Sequence, residues 1–169
     1  MAITGDLFET AAPSPESQGI VYNTLLSLAR IGAEVAVIAG NHDHAGRFEA
    51  IRPVFEHMGI VVRGRVAPPA DGGVVDLEVA SGERARVALL PFCSPRHAVR
   101  AAELMALDAA AASGEYAAKV GAIVAALCAD PDPDAVNLLV AHCMVRDGRT
   151  GGGERAAQTS FEPYWLSAT

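Results

Sequence analysis

Glu34-Val-Ala-Val-Ile-Ala39 runs straight into Gly40-Asn41-His42-Asp43, and this junction decides the fold. Six residues rich in Val and Ile, without polar alternation, read as a strand buried on both faces, the kind found inside an α/β sheet. Gly40 lets the chain turn sharply where the strand ends. Asn, His and Asp then follow in a row, each able to bind a cation or move a proton. The same layout occurs twice more. Met1 to Thr4 is a short strand that stops at Gly5-Asp6, and Val136 to Ala141 is a strand that delivers His142. In an α/β sheet the carboxyl ends of the strands share one rim, so residues far apart in sequence converge there. Asp6, Asn41 and His142 would bring a hard anionic oxygen, a neutral oxygen and an imidazole nitrogen to one point, a set suited to manganese or a similar divalent ion.

Between these junctions the periodicity is helical. Ser14 is placed as an N-cap with Pro15 at the first helical position, and Val21, Leu25, Leu28 and Ala29 form one apolar stripe that ends at Gly32. Phe48, Ile51, Phe55 and Met58 mark a second helix ending at Gly59, in which Pro53 either kinks the helix or marks its start. Ile60 to Val62 is a short strand, and Val74 to Val79 pairs with Arg84 to Leu90 across a Ser81-Gly82 turn. Two Ala-rich helices are expected at Pro95 to Ala111 and Glu115 to Ala129, and Asp147 to Gly153 reads as a loop. The whole is a single α/β sandwich.

Composition narrows the function. With 169 residues, 51% of them hydrophobic, the chain is long enough for one real core, and no apolar run approaches the length of a membrane span. It is expected to be soluble and cytoplasmic, without a membrane partner. Cys93, Cys128 and Cys143 follow no CxxC spacing and read as free thiols in a reducing compartment. A net charge of -7 argues against a protein that holds nucleic acid by bulk attraction to phosphates. If DNA is the substrate, metal ions or a partner must supply positive charge. His44 reads as a solvent-facing loop residue, and His57 and His97 as surface or capping residues.

Ile3-Thr-Gly-Asp-Leu-Phe-Glu9, Val37-Ile-Ala-Gly-Asn-His-Asp43 and Leu139-Val-Ala-His142 resemble, in order, the second, third and fourth motifs of calcineurin-like metallophosphoesterases. The nearer likeness is to the SbcD-type exonuclease subunit of bacteria, supported by Phe48 to Gly64, Val87-Ala-Leu-Leu-Pro-Phe92 and Gly151-Gly-Gly-Glu-Arg-Ala-Ala157. The resemblance implies a metal-dependent DNA exonuclease or endonuclease that works with an SbcC-type ATPase in DNA repair and recombination. It implies that Asp6 bridges two manganese ions, that Asn41 and His142 bind the second, and that His42 stabilises the transition state or protonates the leaving oxygen, oriented by Asp43. Glu9 stands where the family commonly has Asp.

The family also has an Asp-x-His motif before these three and a Gly-His-x-His motif after them. Neither occurs in these 169 residues. The expectation is therefore a partial domain, 1–169, incomplete at both ends, with at most one well-formed metal site and impaired activity. Without the strand that would lie beside Met1 to Thr4, a long apolar edge is expected to be exposed. A homodimer that covers this edge is one candidate assembly. Two other functions fit the same residues: an inactive relic serving as an oligomerisation or binding module, and a phosphoesterase for small phosphodiesters.

Overall fold

The computed structural model describes residues 1–107, 115–145 and 165–166. Strand β2, Val35–Ile38, is the centre of a three-stranded parallel sheet in the order β1-β2-β3, with β1 at Ala2–Ile3 and β3 at Ile60–Arg63. All four of its residues are buried, as the unbroken apolar run implies. Because side chains alternate along a strand, the run is shared between two cores. Val35, Val37 and Ala39 meet Leu25 of helix α1 (Pro15–Arg30) and Phe48 and Phe55 of helix α2 (Ala45–His57). Ala36 and Ile38 point the other way and pack on the second sheet.

That second sheet has the order β4-β5-β6, with β4 at Val74–Glu78, β5 at Arg84–Leu90 and β6 at Val136–Ala141. The β4 and β5 strands form the expected antiparallel hairpin, while β5 and β6 are parallel. Val87 and Leu89 of β5 and Val140 of β6 face Ala36 and Ile38 across the middle of the molecule. Ala88 and Leu90 face outward, onto helix α3 (Pro95–Leu104) and helix α4 (Tyr116–Leu127). The layers run helix, sheet, sheet, helix. A short parallel pair, β7 at Met144–Val145 and β8 at Trp165–Leu166, adds to these.

Several boundaries differ from the sequence reading. Helix α2 starts at Ala45, ahead of the first apolar marker, and Pro53 lies inside it without ending it. The start is set by His44, whose Nδ1 accepts from the Arg47 amide at 3.1 Å; this histidine is a helix cap rather than a plain loop residue. Helix α3 stops at Leu104, followed by Ala106 at a positive φ of 50°, a conformation common just past helix ends. The rest of the segment expected to continue it, and the expected 147–153 loop, lie largely or wholly outside the described residues. Helix α1 follows its signals closely, with the Ser14 hydroxyl accepting from the Ser17 amide at 3.1 Å. Among the described residues no helix is long and apolar enough to cross a membrane.

Candidate metal centre

Strands β1, β2, β5 and β6 end on one rim, and backbone hydrogen bonds join the ends across the two sheets. The Phe92 amide donates to the Ala39 carbonyl at 2.9 Å, and the His142 amide to the Leu90 carbonyl at 3.0 Å. His142 therefore reaches over β1. Its Nδ1 lies 2.6 Å from the Thr4 carbonyl oxygen, a contact that only a protonated Nδ1 makes favourable, and this leaves Nε2 as the other ring position. Nε2 lies 2.9 Å from Asn41 Oδ1 and 3.6 Å from Asp6 Oδ2.

Three residues from three strand ends thus point electron-rich atoms at one another. Asp6 Oδ1 is already engaged by the His42 amide at 3.0 Å, which leaves Oδ2 turned toward the imidazole. A bare Nε2 lone pair facing two oxygens is repulsive, and either a proton or a cation at that point relieves it. The donor set therefore fits a divalent ion: one carboxylate oxygen, one amide oxygen and one imidazole nitrogen whose other nitrogen is held by a backbone carbonyl. The fit is partial. Among the described residues no group of three or more His, Cys, Asp or Glu side chains is arranged to hold a metal, so Asn41 is needed to make a third donor. The site faces solvent, with the Asp6 side chain 37% exposed and that of His142 21%.

Two glycines make this approach sterically feasible. A Cβ on Gly5 would fall 2.6 Å from the Gly40 nitrogen and 2.6 Å from His142 Nδ1, and a Cβ on Gly40 would land on the Asp6 carboxylate. Gly5 and Asp6 both have positive φ, 98° and 53°. Asp is among the few residues that adopt this conformation readily.

The proton-handling pair is arranged differently from expectation. His42 was expected to be oriented by Asp43, but its Nδ1 instead meets the backbone carbonyl of Glu9 at 2.9 Å. Asp43 is buried, and its carboxylate accepts from the amides of Gly40 at 2.8 Å, Phe8 at 3.1 Å and Leu7 at 3.4 Å. It staples the loop after β1 to the loop after β2. The sequence reading placed Phe92 only in a stretch supporting the family likeness and gave it no part in the site, yet its ring packs at right angles to that of His142 with centroids 6.1 Å apart. Its position at the end of the β5 strand was the available signal. Next to the site, burial pushes the Cys143 thiol up, which keeps it neutral and unlike a metal-binding thiolate.

Comparison with known proteins accords with this geometry. The chain is 32% identical over 135 residues to the SbcD component of the SbcCD nuclease of Rhodobacter capsulatus, an alignment that covers 75% of this chain and 31% of the relative. It is 40% identical over 63 residues to the DNA double-strand break repair protein Mre11 of Methanopyrus kandleri, covering 36% of this chain and 14% of that protein. The chain is homologous to part of SbcD and Mre11. It spans less than a third of the length of either relative. No family model matches the chain. The sandwich of two sheets between helices is consistent with the calcineurin-like fold that the SbcD resemblance implies.

Proposed function

We propose that Asp6, Asn41 and His142 are ligands in the centre of a manganese-dependent DNA nuclease, the phosphodiester-cleaving component of an SbcCD-like repair complex in the cytoplasm. The observation that carries this reading is the convergence of Asp6 Oδ2, Asn41 Oδ1 and His142 Nε2 at the strand ends. The SbcD and Mre11 relatives support DNA as the substrate and an SbcC-type ATPase as the partner. When bound, the metal supplies Lewis-acid activation of the phosphodiester and of the attacking water. The chain's own residues do the rest. Thr4 and Glu9 use backbone carbonyls to set the orientation of His142 and His42. With Nδ1–H so held, Nε2 of His42 is the ring position left to give a proton to the leaving oxygen, which it does when the ring carries a proton on both nitrogens. Asp43 fixes the distance between the two loops that carry these groups.

A second reading, a non-catalytic binding module, is favoured by the small ligand set among the described residues. Duplex DNA hydrolysis with manganese, compared between the native chain and His42→Ala, separates the two. The nuclease reading expects a loss of roughly 10²-fold or more in His42→Ala. A native chain without metal-dependent hydrolysis, or a His42→Ala variant with undiminished turnover, favours the binding module. Turnover of a small aryl phosphodiester in place of DNA would identify the third possibility, a phosphoesterase for small diesters. Calorimetric titration with manganese should show one weak site; two strong sites would contradict the ligand count.

A further inference from the structure

A basic pocket opens on the same rim as the metal centre. Arg65, His97 and Arg100 line a cavity of about 120 Å³, walled by Phe92, Cys93 and Leu104. On α3 the lining residues His97, Arg100, Ala101 and Leu104 recur at one-turn spacing, so a single face of that helix forms one wall. The opposite wall comes from Arg65, two residues past the end of β3, and from Phe92, two residues past the end of β5. Both strands run parallel to the strands that carry the metal ligands, so these walls stand on the rim where α/β proteins bind ligands. Phe92 is shared: one part of it lines the pocket and its ring edge meets His142.

The electrostatics of this pocket stand apart from the rest of the chain. The protein carries 20 acidic residues against 13 Lys and Arg, yet three basic side chains line this small cavity. Among the described residues none of the three has a carboxylate within ion-pair distance, whereas Arg52, Arg63, Arg84 and Arg86 all do. The Arg65 segment is also held in place, because Glu49 Oε1 accepts from the amides of Gly64 at 2.9 Å and Arg65 at 3.1 Å. Burial pushes the Cys93 thiol up to about 12, so the floor of the pocket stays neutral. Exposed guanidinium groups that have no ion-pair partner among the described residues, over an apolar floor, suit a phosphate that can accept several charge-assisted hydrogen bonds.

We propose that Arg65, His97 and Arg100 form a phosphate-binding subsite for a polynucleotide strand, gripping a backbone phosphate next to the one at the metal centre. The identity of the ligand as a nucleic acid strand rests on the nuclease reading. A strand offers phosphates on either side of the scissile one, and a small diester does not. The subsite therefore selects polymeric substrate locally, although the chain as a whole is acidic.

The test is binding of a labelled single-stranded oligonucleotide to the full chain in EDTA, followed by fluorescence anisotropy across a salt series. Arg65→Ala with Arg100→Ala should weaken binding by about tenfold or more and reduce the slope of log K against log salt by about one phosphate's worth, ~0.7 for a single strand. Replacing both by Lys should restore most of the slope. Arg30→Ala, the loss of one positive charge at the end of α1, should change neither. Hydrolysis of a small aryl phosphodiester with manganese should be the same in the double variant and the native chain. Unchanged affinity and slope in the double variant, an equal loss in Arg30→Ala, or no oligonucleotide binding by the native chain would each overturn the subsite. Competition by inorganic phosphate as effective as that by oligonucleotide would assign the pocket to free phosphate and overturn the strand-binding role. A chain that binds the strand through these arginines but hydrolyses no diester would sink the nuclease reading and leave the pocket standing.

Discussion

A carboxylate beside a histidine can serve a metal, a proton or the backbone, and Asp43 serves the backbone. It is 7% exposed and satisfies three amides from two separate loops. Removing it leaves those donors buried without partners, each costing ~1–3 kcal/mol in principle. Some relaxation is expected, so Asp43→Ala should lower the unfolding free energy in urea by about 2–4 kcal/mol, and Asp43→Asn, which keeps one acceptor oxygen, by less. An Asp43→Ala variant as stable as the native chain would remove the staple. The motif itself was legible in the sequence, but Asp43's partners were not, because they depend on contacts 35 residues away that only the folded loops create. The thiols allow a second check at this scale. Cys93 is buried with its pKa raised from 9.0 to about 12, while Cys128 is exposed. At pH 8 a thiol reagent should modify Cys128 promptly and Cys93 only after unfolding. Because the folded pKa of Cys93 lies above the unfolded one, its stabilising contribution is complete below pH 9.0 and is lost as pH rises toward about 12. A Cys93→Ala variant should show a shallower alkaline loss of stability than the native chain.

At the scale of elements, β2 shows why its stretch of sequence decides the fold. Alternate residues of a two-faced strand belong to different cores, so the same run must satisfy helices on one side and a second sheet on the other. Ile38 is fully buried where the two sheets meet. Ile38→Ala should cost about 2–5 kcal/mol, and Ile38→Val about 0.5–1.5 kcal/mol, in chemical denaturation. A loss under ~1 kcal/mol for Ile38→Ala would mean that the sheets do not pack as described. The hairpin of β4 and β5, the capped start of α1 and the delivery of His142 by β6 were all readable from periodicity and turn chemistry. The start of α2 was not, since a histidine side chain is an unusual helix cap and Pro53 diverts attention to the wrong turn. Pro53 is tolerated there because α2 packs Phe48 and Phe55 into the core on either side of it, and tertiary burial outweighs the local break.

Across the whole molecule the two ends of the strands differ in character. The carboxyl ends carry Asp6, Asn41 and His142, with Arg65 just beyond β3. At the opposite ends lies a larger groove of about 320 Å³ lined by Met1, Leu77, Val79, Val136 and Leu138. Among the described residues strands β1 and β6 each pair on one side only within their sheets, and the outer strand β6 exposes Val136 at 59%, Leu138 at 46% and Leu139 at 43%. Single exposed apolar residues need no explanation, but a cluster beside unpaired strand edges favours association between chains. The exposed apolar side chains thus lie on β6, whereas at the edge expected from the sequence β1 is two residues long, with Met1 exposed and Ile3 half-buried. The 169-residue chain should self-associate as its concentration rises, which sedimentation velocity over a dilution series would detect. Leu138→Glu should shift that equilibrium toward monomer by introducing like-charge repulsion on the strand edge, at a cost of under ~1 kcal/mol in unfolding free energy because the side chain is already half exposed. The arrangement of Asp6, Asn41 and His142, the proposed ligands, should be unchanged in this variant, because the substitution lies on the opposite rim. A chain that stays monomeric at every concentration, or a Leu138→Glu variant that associates as strongly as the native chain, would show that this groove is not an association surface.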